Sequence, residues 1–293
     1  MMRRCAMPVR RPVVAGQFYP ADRAGCIRMI EQCLPREPLS DLPERIVAGV
    51  VPHAGWVYSG PTAAKVFAAV RERGEPETFV LCSAMHRWGA TRPAVFAEGA
   101  WITPLGEAEI DADLAQAVLE EGRGLLIDAP EAHEGEHSAE VQVPFIQHLF
   151  PQARILPIVV PPDDQAVAAG EAVARGIARV GEDVVVIGSS DLTHYGAMYY
   201  GFAPAGTGER ALEWARANDA RVIDLMLRMR AEEIVPEAAV HHNACGGGAI
   251  AATVGAARAL GASKGVLLEY TTSYHVMPRG PATDFVGYAA VVF

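Results

Sequence analysis

The feature that most constrains this chain is a repeated alternation of short Val- and Ile-rich runs with Ala-rich stretches of helical period. RIVAGVVPH is followed by PTAAKVFAAVRERG and then by ETFVLCSAMH. Strands that alternate with helices build βαβ units, and the crossover between them makes neighbouring strands parallel. The pattern returns in RILPIVVPP, DDQAVAAGEAVARGIARVG and DVVVIGSSD, then in the helical GERALEWARANDARVIDLMLRM and the stretch after Cys245. KGVLLEYTTSYHV and DFVGYAAVVF read as closing strands, PAVFAEGAWITPLG as an inserted hairpin, and EIDADLAQAVLEEG as an amphipathic helix with acidic residues in its first turn. The expected fold class is α/β, a three-layer α/β/α sandwich around a mixed, mainly parallel sheet. A single domain over residues 1–293 is expected, because no linker, repeat or low-complexity tract divides the chain. Its 51% apolar content is enough for a full core.

Charge narrows the partners. There are 25 Lys plus Arg against 35 Asp plus Glu, a formal charge of −10, and no basic stripe offsets it. Nucleic acid and anionic membrane are therefore not expected partners. Lys65 and Lys264 are the only lysines, which reads as base composition rather than chemistry. Cys5, Cys26, Cys33, Cys82 and Cys245 are an odd set without paired spacing, so a reducing, cytoplasmic location is expected. The cations at the start are not followed by an apolar signal core, and no apolar run is long enough to span a bilayer.

Chemistry collects where strands end. His53 closes RIVAGVVPH, His86 closes ETFVLCSAMH, and Asp191 with His194 closes DVVVIGSSDLTH. In open α/β sheets the carboxyl ends of the strands line one crevice, so these residues are expected to converge on one ligand. Each histidine alone reads more simply as a half-buried ring satisfied by backbone, but three at equivalent positions reverse that and favour a site. Cys245 opens a helix, where the dipole favours a thiolate, and Gly246 to Gly248 would let backbone approach a ligand. A thiolate with two imidazoles makes a three-ligand metal site with open positions, while His194 and Asp191 would orient ligands or move protons.

The pieces PVVAGQFYP, VPHAGWVYSG, EGEHSAEVQVPF, GSSDLTHYG, ACGGG and TDFVGYAAVVF, in that order along nearly the whole chain, resemble the Memo family. In bacteria that family is named AmmeMemoRadiSam system protein B, and it is related in fold to the LigB-type class III extradiol dioxygenases. The resemblance implies metal contacts from His53, His86 and Cys245, with His194 at the place of the dioxygenase base and Asp191 and His137 lining the same pocket. Trp56 and Tyr58 look like pocket walls, with ordinary aromatic packing as the alternative. Where the dioxygenases complete a 2-His-1-carboxylate iron triad, this sequence offers a softer thiolate that also suits copper or zinc.

Other motifs compete. HEGEH, residues 133–137, satisfies the H-E-x-x-H pattern of zinc proteases, but that pattern requires a helix, and Pro130 and Gly135 argue against one. The better reading starts a helix near Ser138, with His137 and Glu140 directed at the pocket from its first turn. Cys245, His194 and Asp191 also fit a Cys-His-Asp hydrolase, which leaves His53 and His86 unexplained. GSSD lacks the second glycine of a nucleophile elbow, so Ser189 and Ser190 read as turn formers or hydrogen-bond donors in the pocket. Cys82 reads as a buried small hydrophobe, and His242 lies near Cys245.

The leading expectation is a mononuclear metal-dependent oxidoreductase of dioxygenase type. It would hold one divalent metal, Fe(II) first and Cu or Zn as alternatives, and act with oxygen on a small chelating substrate. The resemblance also implies a rival, a non-catalytic adaptor that binds metal or a peptide ligand, as animal Memo proteins are regarded. The family name further implies association with radical-SAM and AMMECR1-like proteins.

Overall fold

The computed structural model describes residues 7–87, 90–199 and 201–293; Cys5 lies outside them. Along the chain run β1 (Val9–Arg10), α1 (Arg23–Cys33), β2 (Ala48–Val51), α2 (Trp56–Arg73), β3 (Thr78–Ser83), β4 (Ala94–Val95), β5 (Ala100–Thr103), β6 (Gly106–Glu109) and α3 (Ala112–Glu121). They are followed by β7 (Ile127–Asp128), α4 (Val143–Leu149), β8 (Arg154–Val159), α5 (Gln165–Val180), β9 (Val184–Ser189), β10 (His194–Tyr195) and α6 (Glu209–Leu227). The chain closes with α7 (Ala231–His241), α8 (Gly247–Ala259), β11 (Val266–Thr272), α9 (Ser273–Val276) and β12 (Phe285–Val292).

The fold is an α/β sandwich, as the alternation of apolar runs requires. Its large sheet has a parallel centre in the order β2-β9-β3-β8. Antiparallel β12 extends it beyond β2, with β11 and β10 paired to β12, and antiparallel β4 with β7 extends it beyond β8. β3 and β9 are buried at every position, which is why their centres read as continuous apolar runs rather than alternating ones. On one face α2 carries α1 and α4, and on the other α8 carries α5 and α7. Glycines set how closely these layers approach: a Cβ at Gly49 would meet Val66 of α2, and one at Gly188 would meet Thr253 of α8. No helix among the described residues is long and apolar enough to cross a membrane.

The chain departs from the sequence expectation in several places. PAVFAEGAWITPLG is not one hairpin, because β4 joins the large sheet while β5 and β6 form a separate hairpin that β1 extends in parallel. The break falls at Gly99, whose φ of +96° and close approach to the Pro8 carbonyl turn the chain out of one sheet and into the other. KGVLLEYTTSYHV leaves its strand at Thr272, whose side chain accepts from the His275 N–H and caps a single turn of helix. Helices α1 and α7 were not anticipated; α7 carries an internal proline, Pro236, that disguises its pattern.

The α5–α8 contact gives a test with a diagnostic sign. A Cβ at Gly170 would overlap the Ala252 carbonyl oxygen. At an uncrowded helical position Gly→Ala stabilises by about 0.5–1 kcal/mol, whereas overpacking costs roughly 1–3 kcal/mol. Gly170→Ala is expected to lower stability by the latter amount in urea denaturation, and a gain would contradict the close contact.

Candidate metal centre

β2, β9 and β3 lie side by side and run parallel, so their carboxyl ends open at one edge of the sheet. His53 follows β2, Ser190 and Asp191 follow β9, and His86 follows β3. The loop of residues 133–138 is tied to the same edge, because the Ala84 N–H donates to Ser138 Oγ at 2.9 Å. His137 therefore joins the strand-end histidines. One ring nitrogen from each of His53, His86 and His137 lies within 4.8 Å of the others. The rings of His86 and His137 stack with centroids 4.9 Å apart, and His53 stands edge-on to both at 5.0 and 5.6 Å. His53 is buried, His137 half-buried and His86 exposed at the rim, so the cluster opens to solvent on one side. These three histidines could hold a metal ion.

Cys245 completes the convergence that the strand ends imply. Its Sγ lies 3.2 Å from His53 Nε2 and 3.6 Å from the Asp191 carbonyl oxygen, and its N–H donates to that same carbonyl at 3.2 Å. Burial pushes the Cys245 thiol up, but His53 and His86 outweigh it and bring the thiol down to about 6. Burial likewise pulls His86 down, while Cys245 and Glu136 more than offset it and hold the imidazolium up at about 10. His53, the most deeply enclosed, is lowered by burial despite the neighbouring sulfur. His137 is pulled down to about 4 by burial, against the attraction of Glu136.

The sequence reading did not single out Glu136. Its carboxylate accepts from His86 Nδ1 at 3.0 Å and from the N–H groups of His86, His137 and Ser138 at 2.8–2.9 Å. Burial alone would raise this carboxyl; the His86 charge and the converging N–H groups hold it well below the usual carboxylate range. A carboxylate behind Nδ1 fixes the ring so that Nε2 faces the cluster, the arrangement common behind metal-binding imidazoles. Its position just before His137 in HEGEH was the signal available in the sequence.

The remaining expected site residues divide. Asp191 is buried, and its Oδ1 accepts from the His53 N–H at 2.7 Å and the Ala54 N–H at 3.3 Å, so it holds the β2–α2 turn. Burial raises its carboxyl, against the nearby His194. Among the described residues no imidazole donates to this carboxylate, so the relay of a Cys-His-Asp hydrolase is not assembled there. His194 Nδ1 donates to the Leu192 carbonyl at 3.0 Å, leaving Nε2 as the acceptor nitrogen, and the ring meets Tyr199 edge-on. Ser190 Oγ accepts from the Gly246 N–H at 2.9 Å and lies 3.9 Å from Cys245 Sγ. Tyr58 is half-buried and close enough to Tyr199 and Tyr288 to affect both phenols electrostatically.

Trp56 and Glu140 sit away from the cluster. Trp56 is buried between Tyr19 and Phe145, and its Nε1 donates to the Val141 carbonyl, which is packing rather than a pocket wall. Glu140 is fully buried, accepting from the Val13 and Val14 N–H groups and the Tyr19 hydroxyl and pairing with Arg10 at 2.8 Å. It faces the N-terminal segment because a 3₁₀ turn, Glu140–Gln142, precedes α4 where the sequence suggested one continuous helix. That segment still reaches the site, since Arg10 donates to the His133 and Glu136 carbonyls and Phe18 packs edge-on to His137. The glycines after Cys245 also act differently from expectation. A Cβ at Gly246 would collide with the Ser189 carbonyl and one at Gly248 with the Pro161 carbonyl, so these glycines let α8 pack on the strand ends rather than admit a ligand.

The two histidines of HEGEH part company. Gly135, with φ of +76°, turns the chain between them. His133 lies in a 3₁₀ turn, is fully buried, and donates from Nε2 to the Ala94 carbonyl at 3.1 Å. Burial first, and Arg10 second, lower it to about 3. The unfolded value is about 6.5, so the unfolded chain takes up this proton first. The stability contributed by neutral His133 is full above about pH 6.5 and drains away as pH falls toward about 3. His133→Gln is expected to lose less stability between pH 7 and pH 5 than the wild type in urea titrations; equal losses would contradict the assignment. For the cluster itself, Glu136→Gln is expected to weaken metal binding by about 10-fold or more in chelator competition.

The profile of the family described as Memo-like protein matches residues 10–292. The chain is 41% identical over 302 residues to a MEMO1 family protein of Thermococcus kodakarensis, covering 97% of this chain and 99% of that one. It is 38% identical over 296 residues to a MEMO1 family protein of Methanopyrus kandleri, covering 97% and 98%. Among solved structures it is similar to that of an uncharacterized protein from Escherichia coli K12, with a TM-score of 0.55 and 13% identity over 85% of this chain and 100% of the other. At that identity the likeness speaks to the fold alone.

Proposed function

Because this chain belongs to the Memo-like protein family, we propose that it is a mononuclear metal-dependent oxidoreductase, akin to extradiol dioxygenases, acting with oxygen on a small chelating substrate. The observation that carries the reading is the meeting of one ring nitrogen from each of three imidazoles within 4.8 Å of one another, beside a thiol. The donor set fits a divalent metal of intermediate softness, Fe(II) first with Cu or Zn as alternatives. His53, His86 and Cys245 bind it, and His137, stacked on His86, is placed to join them. Such an ion supplies a Lewis-acidic and, for iron or copper, redox-active centre at which substrate and oxygen can meet.

The chain's own residues would do the rest. Glu136 aims His86, and Asp191 fixes the turn that carries His53. His194 presents Nε2 as the base that takes a hydroxyl proton from a chelating substrate, its other nitrogen being held by Leu192. The rim at His86 admits the substrate, while the buried floor at His53 keeps water away from the sulfur side.

Elemental analysis after anaerobic purification is expected to find one metal per wild-type chain and little in His86→Ala or Cys245→Ala. Iron-loaded protein is expected to take up oxygen when catechol-like or aminophenol-like compounds are added. Full iron occupancy without oxygen uptake for any of them would overturn the oxidoreductase reading and favour metal binding without turnover.

A further inference from the structure

Ser189, the last residue of β9, makes three contacts that together account for the one hydrogen and both lone pairs of its hydroxyl. Its Oγ lies 2.7 Å from the Ser138 carbonyl oxygen, 3.2 Å from Gln142 Nε2 and 3.1 Å from His53 Nδ1. A hydroxyl has one hydrogen and two lone pairs, a carbonyl oxygen only accepts, and an amide nitrogen only donates. At 2.7 Å the Ser138 carbonyl must receive the hydroxyl hydrogen, because two oxygens at that distance without a proton repel. Gln142 Nε2 gives one hydrogen to the Pro52 carbonyl at 2.8 Å and directs the other to Ser189 Oγ at 3.2 Å, nearer than the Ser138 carbonyl at 3.5 Å, so it fills one lone pair. The remaining lone pair faces His53 Nδ1, which must therefore carry a hydrogen.

We infer that Ser189 locks His53 in the Nδ1–H tautomer and thereby reserves the Nε2 lone pair for a metal, a positioning role that rests on the metal reading above. On the other side of the ring Nε2 lies 3.2 Å from Cys245 Sγ, and with Nδ1 protonated the hydrogen of that contact belongs to the thiol, which donates to the Nε2 lone pair until a metal replaces it. The lock is enclosed: Ser138, Gln142, Ser189 and His53 are all buried, so water is not at hand to replace a lost partner. It also links two ligands, because the Ser138 that receives the hydrogen adjoins His137 and anchors its loop to Ala84 at the end of β3. His86 reaches the same outcome differently, with a carboxylate rather than a hydroxyl behind Nδ1. Two of the proposed ligands thus have their ring orientation set by independent partners, Ser189 and Glu136, neither of which is among the residues that would hold the metal.

The test uses the full chain labelled with ring-¹⁵N histidine and stripped of metal. Long-range ¹H–¹⁵N spectra at mildly alkaline pH, with His53→Gln for assignment and Cys245→Ala recorded beside the wild type so that no thiolate competes for a proton at Nε2, are expected to show His53 protonated at Nδ1. Ser189→Ala is expected to mix the tautomers and to weaken zinc binding by about 10-fold in competition with a chromophoric chelator. Ser189→Thr, which keeps the hydroxyl, is expected to restore both, and a loss of packing alone would not move the tautomer. A wild-type His53 protonated at Nε2 overturns the inference without any variant, as does a Ser189→Ala protein with unchanged tautomer and zinc affinity. The expected tautomer in a protein that takes up no zinc would instead overturn the metal reading, and with it the purpose assigned to Ser189.

Discussion

The site depends on one constraint, the position of β9 between β2 and β3 in a run of parallel strands. Parallel order sends all three carboxyl ends to one edge, so residues 53, 86 and 190–191 meet although more than a hundred positions separate the first from the last. The order is held by burial on both faces, and the hydrogen bond from the Ser190 N–H to the Val51 carbonyl carries the ladder one residue past the strand end. A register slip would turn every alternate side chain to the opposite face. The positions of His53 and Asp191 are thus consequences of the core rather than local choices.

Close approach is the second condition. Gly188 brings β9 against α8, and Gly246 and Gly248 bring the start of α8 against the Ser189 and Pro161 carbonyls. Together they carry Cys245 to the strand ends and place its sulfur against His53. A side chain at any of these positions would displace α8 from the edge, and the sulfur with it. The charges there are balanced locally: Glu136 faces His86, Asp191 accepts backbone N–H groups, and Cys245 lies between two imidazoles. Each ionisable group in the pocket has a partner chosen by geometry rather than by neighbourhood in the sequence.

The alternation of runs made the α/β sandwich legible, and strand-end placement made His53, His86 and Asp191 legible, because both follow from periodicity. Cys245 was legible from its position at the start of a helix, although the glycines beside it serve helix packing instead of ligand access. What could not be read depends on tertiary path. Glu140 follows HEGEH in the expected register, yet a 3₁₀ turn rotates it toward Arg10 and the N-terminal segment. His137 was legible as a pocket residue, but Glu136 was not: it meets His86 because Ser138 is tied to Ala84, a contact across 54 positions that no local pattern records. Trp56 stands three residues after His53, at the start of α2, but packs inward between Tyr19 and Phe145, as a large aromatic at a helix start can equally do.

The whole account comes down to whether these four side chains share one ion. Anomalous diffraction from crystals of the zinc-loaded protein, collected on both sides of the zinc edge, addresses that directly. The expected result is a single strong peak enclosed by the His53, His86 and His137 rings and the Cys245 sulfur. A map with no peak there, or with zinc bound only elsewhere on the protein, would contradict the account.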